Sequence, residues 1–476
     1  MKIYNSLTRT KEEFVPINKK KIGMYVCGPT VYDEPHIGHA RSAYIFDVIR
    51  RYLSGKYEVT FVRNVTDVDD KIIDKARKEL GAGSSELGVA EKVKEVAKKY
   101  LDAYHEDMTL LGIGRPDKEP KATEYIPKMI KFIEGLIEKD CAYGSDGDVY
   151  FDIKKAKSYG KLSNQNIDKM EIGARISPGE KKKDPLDFAL WKKAKEGEPS
   201  WESPWGAGRP GWHIECSAMS SDMLGDEFDI HGGGIDLIFP HHENEIAQSE
   251  GAGKAFARYW IHNGLLTIDN EKMAKSLGNF ISIKDFMLKY KDADYLKLLF
   301  LNTHYRHPVD YTEERIQEMK AQKERFVIML DKIDRSIKVH GPQSMPCRQA
   351  GTVHSPVKEL EGFRARFGEA MDDDFNMPLA LSNLFELVNF TNKKIDDPNV
   401  VFESKKMLLE LVQIFGLNLE QIDKDLPDKV ETLIKERDEA RAKKDYKRSD
   451  DIRKKLSGMG VILEDTKEGT VWRKEL

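Results

Sequence analysis

Apolar positions in the first 110 residues alternate between two spacings. Lys21 to Cys27 and Glu58 to Asn64 are brief apolar runs of strand length. Each is followed by a stretch, Ala40 to Leu53 and Asp69 to Leu80, in which apolar residues recur at helical spacing. Strands alternating with helices predict parallel βαβ units, and so an α/β fold with a doubly wound parallel sheet of the Rossmann type. Between 112 and 210 the character changes. A helical stretch from Lys121 to Lys139, a short strand near Val149 to Ile153, a basic run at Lys181 to Lys183 and the loop-forming GEPSWESPWGAGRPGW read as an insertion into that sheet. The α/β pattern resumes at His213 with a helix through ECSAMSSDMLG, a strand from Glu227 to His231, a glycine loop HGGGID and a helix starting near His241. After Lys275 come helices, interrupted from Lys338 to Val357 by a linker that contains Cys347, then resuming over Lys358 to Glu369 and Pro378 to Lys394. The last fifty residues predict a small basic module, an amphipathic helix pair followed by a strand-like tail.

A chain of 476 residues exceeds one ordinary core, and about 150 residues per domain predicts roughly three. With 40% hydrophobic and 33% charged residues the composition is that of a globular protein rather than a disordered one. No apolar run reaches the roughly 18 residues of a membrane span. The N-terminus lacks an apolar signal segment, and the cysteines (Cys27, Cys141, Cys216, Cys347) are few and scattered. Both predict a reducing, cytoplasmic setting, where metal binding or catalysis is the commoner use of cysteine than a disulfide. The net charge of −4 leaves any nucleic-acid contact to local basic patches.

The stretch MYVCGPTVYDEPHIGHAR, Met24 to Arg41, ends the first strand and opens the first helix. At such a turn the helix dipole and free N–H groups favour an anion. Gly38 admits a ligand close to the backbone, and His36 and His39 flank the helix start. Four candidate metal ligands lie in three separated places. His241 and Glu245 are four apart, so if PHHENEIAQSE is helical they share one face; the sequence alone does not force Cys27 and Cys216 together, but a doubly wound sheet whose halves they end and open would face both to one crevice. Two thiolates, an imidazole and a carboxylate suit Zn²⁺. Cys216 as a small buried apolar residue, with PHHENE as a solvated helix start, is the competing reading. In HGGGID, Gly232 and Gly233 allow close backbone approach and Asp236 is placed to accept from ribose hydroxyls; a plain flexible turn fits the same residues. In IDNEKMAKSLGNF, Lys272 and Lys275 flank a turn where two ammonium groups can hold phosphates as charge moves onto a leaving pyrophosphate, or simply face solvent. Near the C-terminus Arg441, Lys443, Lys444, Tyr446, Lys447 and Arg448 interleave charge with an aromatic, a composition able to grip phosphates and stack an unpaired base. Acidic neighbours nearly balance that charge, so a solvated helix face competes.

Taken together, YVCGPTVYDEPHIGHAR, FVRNVTDVDDKI, PGWHIECSAM, DIHGGGIDLIFPHHENEIAQSE, KMAKSLGNF, MDDDFNMPLAL and GVILEDTKEGTVWR resemble the class I aminoacyl-tRNA synthetases. Within them the resemblance is to the cysteinyl-tRNA synthetase family, along essentially the whole chain. It implies that His36, Gly38 and His39, with Lys272 and Lys275 of a mobile loop, bind ATP and stabilise the transition state; Ala274 stands where that loop commonly has serine. It implies one Zn²⁺ per chain on Cys27, Cys216, His241 and Glu245, an amino-acid pocket lined by Thr66 and Trp212, and nucleotide contacts at Gly232, Gly233 and Asp236. Anticodon reading falls to Arg441, Asp450 and Asp465, with Tyr446 where some relatives have tryptophan. The implied activity is ATP- and Mg²⁺-dependent activation of L-cysteine and its transfer to the 3′ end of tRNA(Cys), by a cytoplasmic monomer without membrane contact or editing domain. The implied division is 1–111 and 211–265 for the two catalytic halves, 112–210 for the connective insertion, 266–312 for a stem-contact region, 313–425 for a helical bundle and 426–476 for an anticodon-binding α/β module. A nucleotidyltransferase, a ligase joining cysteine to a small amine, and a non-catalytic RNA-binding protein are the rival classes.

Overall fold

The computed structural model of the protein describes residues 1–81, 86–165, 182–273, 277–340, 355–419, 428–459, 461–466 and 469–474. Its central sheet consists of β1 (Lys21–Val26), β2 (Glu58–Arg63), β3 (Glu227–Gly234) and β4 (Phe256–Asn263), in the spatial order β4-β3-β1-β2 and parallel throughout. Met24, Tyr25, Val26, Phe61, Val62 and Ile230 are fully buried, as strands covered on both faces require. The two halves of the sequence meet where β1 lies beside β3, with Val26 opposite Gly232, and the Cys27 N–H donates to the Gly232 carbonyl at 3.1 Å.

Helix α1 (Ile37–Ser54) connects β1 to β2 and buries Ala40, Tyr44, Phe46, Val48 and Leu53. It begins three residues before Ala40, the position that the apolar pattern predicted, because its cap is histidine rather than the usual Ser, Thr, Asp or Asn. The His36 Nδ1 accepts from the Gly38 N–H at 3.1 Å, and the His39 Nδ1 accepts from the His36 N–H at 3.2 Å. This reciprocal pair satisfies two of the free donors at the helix start.

In the second half, α2 (Trp212–Leu224) precedes β3, and α3 (Glu243–Gly251) precedes β4. HGGG is not a loop: Gly232 and Gly233 are strand residues, and two tight turns, Ile235–Leu237 and Ile238–His242, separate the strand from α3. Packing demands the glycines. A Cβ at Gly232 would lie 2.3 Å from the Phe46 ring, and one at Gly233 would lie 2.8 Å from the His242 ring.

The insertion has more order than its letters suggest. Ala142–Ser145, Asp148–Phe151, Phe188–Lys193 and Gly208–Pro210 form an antiparallel sheet behind the helix Ile126–Glu138. Part of the Gly/Pro/Trp stretch belongs to it, with Trp201 and Gly208 exchanging backbone hydrogen bonds. The N-terminal hairpin (Lys2–Asn5 with Thr10–Glu13) and the long helix Glu86–Leu110 were likewise not anticipated. Helices Glu313–His340, Ser355–Asp372, Met377–Lys393 and Pro398–Ile414 follow. The expected linker is therefore helical at both ends, while Cys347 lies outside the described residues. The C-terminal module pairs Asp428–Ala442 and Tyr446–Ser457 with an antiparallel hairpin, Val461–Thr466 and Gly469–Lys474. Val430, Leu433, Ile434, Ile452, Leu456, Val461 and Leu463 form its separate core. Among the described residues no helix is long and apolar enough to cross a membrane.

Candidate active site

At the carboxyl ends of β1 and β3 the chain gathers its reactive side chains. Cys27 follows β1, Cys216 sits in the buried opening of α2, His241 lies in the turn that leads into α3, and Glu245 lies in the first turn of α3. One donor atom from each lies within 4.8 Å of the others. Cys27 Sγ is 3.6 Å from both Cys216 Sγ and Glu245 Oε1, and His241 Nε2 is 3.1 Å from Glu245 Oε1. Both cysteines are free thiols.

Four more histidines surround this quartet. His231 on β3 holds the second Glu245 oxygen at 2.8 Å; His213 Nδ1 is 2.9 Å from His241 Nδ1; His242 Nδ1 is 2.8 Å from His262 Nε2, which in turn reaches Ser6 Oγ through its Nδ1 at 2.8 Å. His242 Nε2 also stands 3.3 Å from Cys27 Sγ, so Cys27, His231, His242 and Glu245 form a second compact set. None of the four was singled out in the sequence. For His213, His231 and His242 the available signal is position, near the end of a predicted strand or the start of a predicted helix; His262 lies on β4, a strand that the sequence reading did not anticipate.

The quartet fits a metal ion. Burial pushes the Cys27 thiol and the Glu245 carboxyl well above their ordinary pKa ranges and pushes His241 well below its own. The site therefore disfavours bare anions while offering neutral imidazole, and a cation at the centre would relieve that cost. Two sulfurs, a nitrogen and an oxygen around one point are compatible with zinc. His213 and His231 supply the outer contacts that orient such ligands.

Trp212 opens α2 and lies tilted against His241 with ring centroids 4.3 Å apart; at 38% exposure it roofs the cluster instead of joining the core. Thr66 is buried beyond β2 and donates to Glu215 Oε2 at 2.7 Å. Burial pushes the Glu215 pKa well above the usual carboxylate range.

On the other side of the crevice the rings of His36 and His39 lie tilted against each other with centroids 3.7 Å apart. Protein around His39 lowers its pKa toward about 4 by desolvation, and even with its solvent-open face the ring is neutral at pH 7. The lysine-bearing segment packs against this turn. Met273 Cε lies 3.3 Å from where a Cβ on Gly38 would stand, Phe280 meets His36 edge-on at 5.5 Å, and the Ile37 N–H donates to the Ile281 carbonyl at 3.2 Å. Lys272 is exposed on the short strand Glu271–Lys272, and Lys275 lies outside the described residues. Asp236 is exposed in the turn that follows β3.

In the C-terminal module Arg441, Asp450 and Tyr446 are exposed, Tyr446 at 62%. Asp465 pairs with Arg441 and also takes a two-pronged bond from Arg437, Nη1 to Oδ1 at 2.6 Å and Nη2 to Oδ2 at 2.8 Å. The buried Arg437 escaped the sequence reading because an arginine on a charged helix reads as solvated.

The histidine cluster predicts an acid-sensitive core. Burial holds His213, His231 and His262 each near pKa about 3 and His241 and His242 well below 6.5. Below pH 6.5 the unfolded chain takes up protons that the folded state refuses. Each histidine then costs up to about 1.4 kcal/mol per pH unit. Glu215, Glu245 and Asp107, whose pKa values burial raises, work in the opposite direction but are outnumbered. The melting temperature is expected to fall as pH is lowered from about 7 to about 5. A flat or rising profile by scanning calorimetry refutes the expectation.

The chain matches three family models: "tRNA synthetases class I (C) catalytic domain" over residues 13–321, "DALR domain" over 366–420 and "Cysteinyl-tRNA ligase anticodon binding domain" over 423–473. A cysteine–tRNA ligase of Finegoldia magna is 46% identical over 481 residues, covering 100% of both chains. One from Geobacillus thermodenitrificans is 48% identical over 480 residues, covering 100% of this chain and 99% of its own. Among solved structures, Mycobacterium tuberculosis methionyl-tRNA synthetase in complex with methionyl-adenylate is similar in fold, with TM-score 0.59 and 16% identity over 83% of this chain and 90% of that one. A catalytic-domain match over most of the sequence, and full-length identity near one half, follow the same order of parts as the sheet, bundle and terminal module described above: the chain belongs to the cysteine–tRNA ligase family of class I tRNA synthetases.

Proposed function

We propose that this protein activates L-cysteine with ATP and transfers it to the 3′ end of tRNA(Cys), with one zinc ion on Cys27, Cys216, His241 and Glu245. The observation that carries this reading is the convergence of those four donors within 4.8 Å, in a chain that also matches a cysteinyl-tRNA ligase anticodon-binding domain. When bound, the zinc supplies strong, selective affinity for a thiolate, which separates cysteine from serine where an apolar pocket distinguishes near-isosteres by only about 10–200-fold. The protein's own side chains do the rest. Trp212, tilted against His241, covers the amino-acid side chain. Thr66 and Glu215, bonded to each other, wall the pocket. The rings of His36 and His39 donate N–H groups toward the phosphates, while Lys272 and Lys275 hold the β- and γ-phosphates with Mg²⁺, and Gly38, Gly232, Gly233 and Asp236 seat the nucleoside.

In the first step a cysteine carboxylate oxygen bonds to the α-phosphorus of ATP as the bond to pyrophosphate breaks. In the second, a terminal ribose hydroxyl of the tRNA bonds to the activated carbonyl, and AMP leaves with the bonding pair. No side chain acts as nucleophile, so positioning and electrostatics carry the rate. Arg441, Asp450, Asp465 and Tyr446 meet the anticodon. All required residues come from one chain, so a monomer suffices, and the free thiols suit a reducing cytoplasm.

Cysteine-dependent ATP–pyrophosphate exchange is the test, with serine as control and zinc assayed on the same sample, followed by charging of tRNA(Cys). Exchange with cysteine alone, followed by acid-stable charging, is expected. Exchange without charging would favour the small-amine ligase, and no exchange on zinc-loaded protein would overturn the reading.

A further inference from the structure

Arg41 is five residues beyond His36 in α1 and wholly buried. Among the described residues it pairs with no carboxylate. Its Nη1 donates to the carbonyls of Gly264, at 2.7 Å, and Leu265; its Nη2 donates to those of His307 and, at 3.4 Å, Tyr305. Arg315, the charge that bears on it, has the same sign. An unpaired buried cation is costly, so the fold spends stability on this contact. A planar fork of five donors can reach four carbonyls in two chain segments at once, which a lysine cannot.

Those segments matter for where they lead. Residues 264–265 and 305–307 run directly into the parallel strands Leu266–Ile268 and Val309–Tyr311, and the first of these pairs with Glu271–Lys272. Gly264 allows the segments to meet, since a Cβ there would lie 2.4 Å from the His307 carbonyl. The same helix thus bears His36 and His39 at its start and, one turn on, anchors the strands from which Lys272 projects.

We propose that Arg41 is a positioning residue for the activation step. Resting on the function proposed above, it fixes the spacing between the histidine turn and the lysine-bearing hairpin, so that both sides of the ATP site are held at one distance across the triphosphate.

The experiment compares wild type, Arg41→Lys and Arg41→Ala in cysteine-dependent pyrophosphate exchange. Wild-type exchange is measured first; its absence overturns the proposed activity and this inference with it. Given wild-type exchange, Arg41→Lys is expected to lower kcat on the order of 100-fold. Its cysteine KM and zinc content should match wild type, because the thiol cluster makes no contact with Arg41. Arg41→Ala should behave alike and regain part of its kcat on addition of ethylguanidinium. Wild-type kcat in Arg41→Lys overturns the inference while leaving the proposed activity intact. Parallel loss of kcat, cysteine binding and zinc in both variants, with no recovery on ethylguanidinium, also overturns it, because Arg41 then serves only to hold the fold.

Discussion

Replacing Cys216 by serine is expected to remove bound zinc and cysteine-dependent exchange together. Cys216 is buried, with its sulfur 3.6 Å from that of Cys27. Serine preserves the volume and the helix. Its hydroxyl stays protonated at neutral pH, so the site would keep a single thiolate beside His241 and Glu245 and lose its preference for a thiophilic ion. A loss of at least about 100-fold in kcat/KM for exchange is expected, since even outer contacts of metal sites cost 10–100-fold when removed. The structural cost is modest, about 1–3 kcal/mol for a buried hydroxyl without a good partner. Metal analysis and exchange on one preparation check this. Variant protein with full zinc and normal exchange would remove Cys216 from the ligand set, leaving Cys27, His231, His242 and Glu245 as the alternative cluster.

The second large effect lies in the C-terminal module and should divide the two half-reactions. Arg437→Ala leaves the Asp465 carboxylate without its two-pronged partner, the main cause of that group's depressed pKa. Removing one member of a buried pair costs about 3–5 kcal/mol, and Asp465, still 33% exposed and near Arg441, places the expected loss at about 2–4 kcal/mol. A module whose core holds seven apolar side chains among the described residues has a modest margin of stability. The hairpin bearing Asp465 should come away from the helix bearing Arg441. Pyrophosphate exchange is expected to stay within about twofold of wild type, while kcat/KM for charging tRNA(Cys) falls by at least about tenfold. Equal losses in both assays, or none in charging, would dissociate this module from anticodon reading.

Which features were legible follows from the range of the forces that make them. The strands Lys21–Val26 and Glu58–Arg63, with the helices between and after them, announce themselves through local periodicity, because each buries its own apolar face wherever it lies. The reactive letters were legible too: HIGH, the paired lysines, and two thiols with a His and Glu four apart stand out as residue types before any fold is known. What their spacing could not convey is which of them meet. The antiparallel sheet of the insertion has strands of three to six residues whose partners lie up to about forty positions away, Val149 opposite Trp191. Pairing of that kind depends on long-range register rather than on propensity. Gly232 and Gly233 read as a loop because glycine usually marks one, yet here the Phe46 and His242 rings exclude any larger side chain from a strand.

The same division holds at the site. The sequence by itself determined the donor chemistry, since thiol, imidazole, carboxylate and ammonium groups keep their character in any fold. Only the tertiary structure decided how that chemistry is held. His213, His231, His242 and His262 come from four separate elements, and Arg41 and Arg437 are charges that a pattern of exposed and buried positions assigns to water. Their roles arise when packing removes water around them, because a buried polar group must take whatever partner the fold brings within hydrogen-bond reach.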